Sequence, residues 1–305
     1  MNTHPDRACL LPEENKSSDE KPPERLASTF GSADTHRRIG ELIKRRSTNK
    51  SDVYRLGLEG LIFTKPIRIL DLGCGWGAFT SALKGVAPEG SVCTGVDWIE
   101  GNRPYFCMSA ESAGIGGKFM QGPVEQISSL PDNSFDLILS GFSLYFFVGI
   151  LPEISRVMKN DGVFVAITHS NRSLHEFLDD VRAPLMHAGK MTPELFGVEA
   201  VLNEFSAENG VRILSGHFST VRKVEFNNQL RFGVDNIEEC FDYLMFKRYI
   251  LTDNSEYRHE IEKAQFHDAL KKVIHDRAVR DGAYTLAKDD AIFTCRGKLQ
   301  GGDES

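Results

Sequence analysis

An aspartate followed by three glycines at alternate positions is the part of this chain whose residue types best suit chemistry. Asp71 closes an apolar-rich run over 67–70, and Gly73, Gly75 and Gly77 lead into a stretch of helical character. Glycine adds nothing to packing. At this density it lets the backbone turn tightly and approach a ligand where a Cβ would collide. Strand, glycine turn and helix start together make a site for a small molecule with a nucleotide-like part. Cys74, inside the turn, reads as a small filler rather than a nucleophile.

The turn alone admits two ligand classes. Gly73-x-Gly75-x-x-Ala78 satisfies a dinucleotide fingerprint, and Asp97 after the second strand can accept from the vicinal hydroxyls of a ribose in either class. Asp71 separates them. A carboxylate beside the loop repels a pyrophosphate and draws a ligand that carries an ammonium group. S-adenosylmethionine has that ammonium, a sulfonium and no phosphate, and its carboxylate can sit on loop amides at the helix start.

The elements that position these residues follow a regular alternation. Strands are expected over 67–72, 91–96, 117–121, 135–141 and 162–168, with helices over 77–85, 100–113 and 147–159 and a turn at Asn160-Asp161-Gly162. Nearly continuous apolar strands separated by helices imply a parallel α/β sheet covered on both faces, and right-handed crossovers make it doubly wound. Upstream, residues 1–30 are expected to be a disordered tail, and 31–66 carry two helices: 35–46, with Ile39, Leu42 and Ile43 on one face, and one capped by Asp52. The cofactor core is expected over 67–170. Residues 171–305 hold a helical cover and the last strands: helical over 172–208 with breaks at Pro184 and Pro193, β-like over 211–232, helical over 234–249 and 255–280, and a strand over 290–297. The N-terminal helices around Tyr54 are placed to close over the cofactor.

Composition bounds the function. The 305 residues carry a net charge of −7, 41 % hydrophobic and 26 % charged residues, which is ordinary for a globular protein and argues against a nucleic-acid partner. No apolar run reaches the length of a membrane span, and the polar, proline-bearing N-terminus reads as no secretory signal. The six scattered cysteines lack metal-ligand spacing; they are expected to be free thiols in a reducing cytoplasm, with no metal site.

Five motifs in order resemble the class I S-adenosylmethionine-dependent methyltransferases, nearest to the small-molecule type related to ubiquinone and menaquinone biosynthesis. They are Leu70-Asp71-Leu72-Gly73-Cys74-Gly75-Trp76-Gly77, Gly95-Val96-Asp97-Trp98, Gly122-Pro123-Val124-Glu125 with 130–136 after it, 140–146, and the 151–162 approach to the fifth strand. The likeness covers roughly 67–170. It implies a Rossmann-like, mostly parallel seven-stranded sheet and methyl transfer (EC 2.1.1 class) to a small or medium organic acceptor, leaving S-adenosylhomocysteine. It also implies roles. Asp71, Gly73 and Gly75 hold the methionine part, Asp97 the ribose and Trp98 the adenine face; Val124 offers its amide to the adenine ring, Ser140 faces the methionine end, and Cys74, Gly77 and Glu125 complete the cofactor-binding set. Where the family often has an acid to accept from the adenine amino group, this chain has Pro123, so a backbone carbonyl, Gln126 or water must serve.

Methyl transfer from a sulfonium is an in-line displacement in which alignment and water exclusion do most of the work. A base is needed only for an acceptor that must lose a proton, and histidine is the usual one. His169, at the carboxyl edge of the fifth strand, is the candidate base or substrate contact, against a structural hydrogen bond; His175 lies just beyond it. Tyr145 is the candidate for orienting substrate, against simple packing. The 20 phenylalanines favour an apolar or aromatic substrate, though many build the core. Tyr243-x-x-x-Lys247 matches a short-chain dehydrogenase pair but reads as a packed tyrosine and a surface lysine, and Arg37-Arg38 with Lys44-Arg45-Arg46 reads as a solvated helix face. The competing functions are a cofactor-binding scaffold without turnover and an NAD(P)-dependent oxidoreductase. Oligomeric state is not legible.

Overall fold

The structure is a computed structural model that describes residues 27, 29–187, 197–251 and 259–299. Helix α1 (Ala33–Arg46) starts where the Ser32 side chain accepts from the Thr35 amide, and its basic last turn suits the helix dipole. Asp52 caps α2 (Val53–Gly57) by accepting from the Tyr54 and Arg55 amides, as expected from sequence. Strand β1 (Arg68–Leu72) then runs fully buried from Ile69 onward into the glycine turn and the short α3 (Ala78–Ala82).

Strand β2 (Val92–Asp97), helix α4 (Arg103–Ala113), β3 (Gly116–Gln121) and β4 (Phe135–Gly141) continue the alternation. Pro104 in the first turn of α4 and Gly114 at φ 80° after it mark its two ends. After β4 come α5 (Leu151–Val157) and β5 (Met158–His169), then α6 (His175–His187), α7 (Gly197–Glu204), α8 (Gly210–Leu214), β6 (Phe218–Phe226), β7 (Gln229–Phe232), α9 (Ile237–Leu251), α10 (Ala264–Asp281), β8 (Tyr284–Ala287) and β9 (Asp290–Lys298).

The main sheet has seven strands in the order β3-β2-β1-β4-β5-β9-β6. β1 to β5 are parallel, and β9 runs antiparallel between β5 and β6. It is the Rossmann-like, doubly wound, mostly parallel sheet expected. Strand order reverses at β1, which has β2 on one side and β4 on the other, so a crevice opens at the carboxyl ends of β1 and β4, where such sheets bind ligands. Cores form on both faces, one around Phe79, Phe106 and Leu83, the other around Phe135, Ile154 and Phe293. A third cluster joins α1, α6, α9, α10 and the separate β7–β8 ribbon into the helical cover. Among the described residues no helix is long and apolar enough to cross a membrane.

Several boundaries differ from the sequence expectation for physical reasons. The helix expected over 147–159 is only α5, preceded by 3-10 turns at Leu144–Phe146 and Val148–Ile150, because Pro152 lacks an N–H and is accommodated only in a first turn. The Asn160-Asp161-Gly162 turn lies inside β5, as the irregularity where pairing with β4 shifts between Phe135 and Leu137. Helix α3 is shorter than 77–85, and the 211–232 β region begins with the helix α8. Pro184 falls within α6 instead of breaking it, whereas Pro193 and nearly all of the 1–30 tail lie outside the described residues. Strand β8 was not anticipated, its four residues being too short to show alternation. Cys74, Cys93, Cys240 and Cys295 are free and buried, but Cys107 is disulfide-bonded; sequence spacing alone carries no sign of such pairing.

Candidate active site

The glycine turn is built around Asp97. Its Oδ2 accepts from the Gly75 amide at 2.8 Å, while Oδ1 accepts from the Ile99 amide at 2.8 Å and from Asn102 Nδ2 at 3.0 Å. Burial raises the Asp97 carboxyl against these hydrogen bonds. The turn also hangs on β2, since Gly73 and Cys74 both donate to the Val96 carbonyl, and Gly77 donates to Cys74. Four amides expected to hold a ligand carboxylate therefore already donate inward. What the turn offers instead is space. A Cβ on Gly75 (φ +50°) would meet nothing closer than His36 Cε1 at 3.8 Å, whereas one on Gly73 would stand 2.6 Å from Ser143 Cβ and one on Gly77 2.7 Å from Ser109 Cβ. Gly75 is the open cradle; Gly73 and Gly77 are close approaches of backbone to side chain. Cys74 is buried, its thiol pushed well up by burial, so it is no thiolate nucleophile.

Asp71 is 1 % exposed at the end of β1, and Thr80 Oγ1 donates to its Oδ2 at 2.7 Å. Burial pushes the Asp71 carboxyl up to about 7 against the Thr80 hydrogen bonds, with the Asp97 charge adding to the rise. A buried acid poised there gains by meeting a cation. Ser140 is fully buried at the end of β4. Its hydroxyl pairs with Ser143 Oγ at 2.8 Å, which donates to the Leu72 carbonyl at 2.7 Å, bracing the turn. Trp98 is half-buried after Asp97, Val124 is buried in the 3-10 turn Val124–Ser129, and Glu125 is exposed. Two buried polar atoms in this region lack partners, Asn102 Oδ1 beside Asp97 and Gln126 Nε2 in the turn that begins at Val124.

A second cluster sits at the same sheet edge. Antiparallel pairing sets Asp290, the first residue of β9, opposite His169, the last of β5. His169 Nδ1 lies 2.6 Å from Asp290 Oδ1, and Lys288 Nζ donates to both Asp290 oxygens at 3.0 and 3.3 Å. Lys288 Nζ also lies 3.0 Å from His169 Nδ1; because the Asp290 carboxylate can only accept, the shorter 2.6 Å contact assigns the proton to Nδ1 and leaves the lone pair on Nε2. Burial lowers His169 to about 4, and the neighbouring Lys288 charge adds to this, outweighing Asp290. Burial alone would raise Asp290, yet Lys288 and His169 hold it below the usual carboxylate range.

Aromatic rings enclose the imidazole. Phe142 stacks on it at 4.6 Å between centroids and Tyr145 at 6.0 Å, and Lys288 Nζ lies 5.1 Å over the Phe142 ring. Phe142 holds φ 58°, a conformation a phenylalanine adopts only at an energetic cost, directly after β4. Tyr54, from α2, packs edge-on to Phe142 at 5.9 Å and feels the charges of both Asp71 and Asp290. It thus bridges the cofactor-side acid and the His169 cluster. His175, in contrast, starts α6 with Nδ1 on the Arg172 carbonyl and shares no hydrogen bond with that cluster.

Helix α1 closes one side. His36 stands over Gly75, and a Cβ on Gly40 would meet the Trp76 ring at 3.7 Å. The basic end of α1 is not simply a solvated face: Arg45 and Arg46 pair with Glu239 on α9, and Arg46 also donates to Asn236 at 2.8 Å. Tyr243 is fully buried on α9 with its hydroxyl unpartnered, and Lys247 one turn on is half-buried rather than on the surface. Sequence reasoning missed Asp290, Lys288, Asn102 and His36 as members of this region. Only the charge of Asp290 at the mouth of an apolar strand carried a signal.

Residues 70–166 match the family model described as a methyltransferase domain. The uncharacterized methyltransferase YcgJ of Bacillus subtilis is 31 % identical over 106 residues, covering 33 % of this chain and 40 % of that protein. Demethylmenaquinone methyltransferase of Staphylococcus aureus is 34 % identical over 122 residues, covering 37 % and 47 %. The chain therefore spans less than half the length of these curated relatives. The crystal structure of Bacillus subtilis YcgJ aligns over 88 % of this chain and 100 % of that one at 19 % identity, with a TM-score of 0.45. Over residues 70–166, about a third of its length, the chain is therefore similar to the methyltransferase-domain family.

Proposed function

We propose that this chain is an S-adenosylmethionine-dependent methyltransferase acting on a small organic acceptor. The observation that carries the reading is a buried acid, Asp71, beside the open Gly75 cradle at the topological switch point, with Asp97 holding the Gly75 amide. The residues fit the cofactor. Asp71 would hold its ammonium, Asp97 with the free Asn102 Oδ1 its ribose hydroxyls, and Trp98 and Val124 its adenine; Gln126, whose amide lacks a partner, would meet the adenine amino group in place of the acid that Pro123 replaces. A phosphate-bearing dinucleotide fits poorly beside Asp71.

Bound there, the cofactor would supply an activated methyl group on sulfur. The chain's own part is alignment and proton handling. Phe142, Tyr145 and Tyr54 would exclude water and set the acceptor between Asp71 and His169. His169, neutral above about pH 4, would take the acceptor proton on Nε2 while Asp290 stabilises the resulting imidazolium. Helix α1, over Gly75, would act as the gate for cofactor exchange.

Thermal unfolding with S-adenosylhomocysteine tests the reading. A ligand at 100-fold its dissociation constant adds about 2.7 kcal/mol to stability, so the melting temperature is expected to rise by several degrees. No shift at millimolar ligand would overturn it.

A further inference from the structure

The Tyr243–Lys247 pair on α9 takes no part in the cofactor site, yet it is built as a binding group. The i, i+4 spacing puts both side chains on one helix face. Tyr243 is 0 % exposed and its hydroxyl has no hydrogen-bond partner. Lys247 Nζ makes no salt bridge or hydrogen bond among the described residues; its neighbours are the Phe30 and Phe246 rings, at 5.9 and 5.5 Å. His36, tilted against Phe30 and stacked with Phe246, leaves Nδ1 buried and unpartnered. Lys247 and His36 thus share one aromatic surround without hydrogen-bond partners, and Tyr243, stacked on Phe232, lies one turn away on the same helix face; an unmet buried polar atom carries a free-energy cost.

The charge balance says what is missing. Lys247 feels Lys288 and Asp290, but Asp290 is already engaged by Lys288 on both oxygens and by His169 on one. Glu239, on the same helix, is held by Arg45 and Arg46. The buried group therefore carries one positive charge in excess. Burial lowers Lys247 only to about 8, so it stays charged at neutral pH.

We infer that Lys247, Tyr243 and His36 form the acceptor subsite for a singly charged oxyanion, a carboxylate in the simplest case, on an aromatic or apolar substrate. The ammonium would supply the counter-charge, the Tyr243 hydroxyl would donate the second hydrogen bond, and Phe30, Phe246 and Phe142 would hold the ring. This rests on the proposed methyl transfer only for the word acceptor; the anion subsite is a separate physical claim.

The test is calorimetric titration of benzoate and its neutral isostere benzamide, each with and without S-adenosylhomocysteine. Saturable benzoate binding is expected, at least tenfold tighter than benzamide. Lys247→Met should weaken benzoate at least tenfold and Tyr243→Phe several-fold, with S-adenosylhomocysteine affinity unchanged. Lys247→Met removes an unpaired charge and should unfold at the same or a higher temperature, so misfolding does not blur the result. Absent benzoate binding, equal binding of the two probes, or indifference to Lys247→Met each overturns the inference. Failure of S-adenosylhomocysteine alone overturns the proposed function and leaves the benzoate result to be read by itself.

Discussion

Asp71 makes cofactor binding a proton-linked event, and the sign follows from the structure. In the free protein its carboxyl titrates near 7 because it is buried. An ammonium bound beside it requires the carboxylate, so binding must expel the proton that the free protein holds below that pH. The apparent dissociation constant then scales as 1 + 10^(pKa − pH): about 2-fold weaker at pH 7, about 11-fold at pH 6 and about 100-fold at pH 5, or roughly 1.4 kcal/mol per pH unit. The α-ammonium of S-adenosylhomocysteine stays protonated below about pH 7, so the trend belongs to the protein. Calorimetry in buffers of differing ionisation enthalpy should record release of about 0.9 proton per ligand at pH 6. Asp97 is also raised by burial, so Asp71→Asn is the control: it should bind weakly and lose most of the pH dependence. The same variant should stabilise the ligand-free protein at pH 8. The native proton affinity of Asp71 exceeds the unfolded one, so its favourable contribution is present below pH 3.8 and gone above about 7, where a buried charge remains. Affinity that is flat from pH 5 to 7, or an equal slope in Asp71→Asn, would refute the reasoning.

Gly75→Val should leave a folded protein with a modest cost of about 1 kcal/mol from its positive φ, and abolish S-adenosylhomocysteine binding; Gly73→Ala should instead lower the melting temperature, since its Cβ meets Ser143 at 2.6 Å. Asp97→Ala should weaken S-adenosylhomocysteine by about 1–3 kcal/mol in an equilibrium titration, and the freed Gly75 amide should loosen the turn; unchanged affinity would remove Asp97 from the site. For an acceptor that must lose a proton, His169→Asn should lower kcat by roughly 10²–10⁴ with cofactor affinity unchanged. Its acid limb in the wild-type rate profile should fall near pH 4; an undiminished kcat would leave His169 as a structural hydrogen-bond partner. Glu239→Ala should free the end of α1 and speed S-adenosylhomocysteine release in stopped flow, and an unchanged rate would argue against α1 as the gate.

The sheet and the glycine turn were legible because each rests on local chemistry. Apolar strands, glycines with positive φ and an acid at the end of β2 sit within 30 residues of one another and need no distant partner to be read. The second half of the site was not, because it is assembled by pairing across the chain. His169 was visible as a candidate, but Asp290 reaches it only through antiparallel β9, 121 residues away in sequence. Tyr243 and Lys247 had the right spacing and a misleading precedent; only the buried, unpartnered Tyr243 hydroxyl and the half-buried Lys247 ammonium among aromatic rings distinguish them from an ordinary helix face. The loop amides illustrate the converse. Their positions suggested ligand donors, yet hydrogen bonds to Val96, Asp97 and Cys74 occupy them.

The central claim, that the acid-flanked turn holds a cationic sulfur nucleoside and not a dinucleotide, is tested most directly by titrating the purified chain at pH 7.5 with S-adenosylhomocysteine and, in parallel, with NADH and NADPH. The account predicts saturable one-to-one binding of S-adenosylhomocysteine and none of either nicotinamide. Micromolar binding of NADH or NADPH with no response to S-adenosylhomocysteine would contradict it.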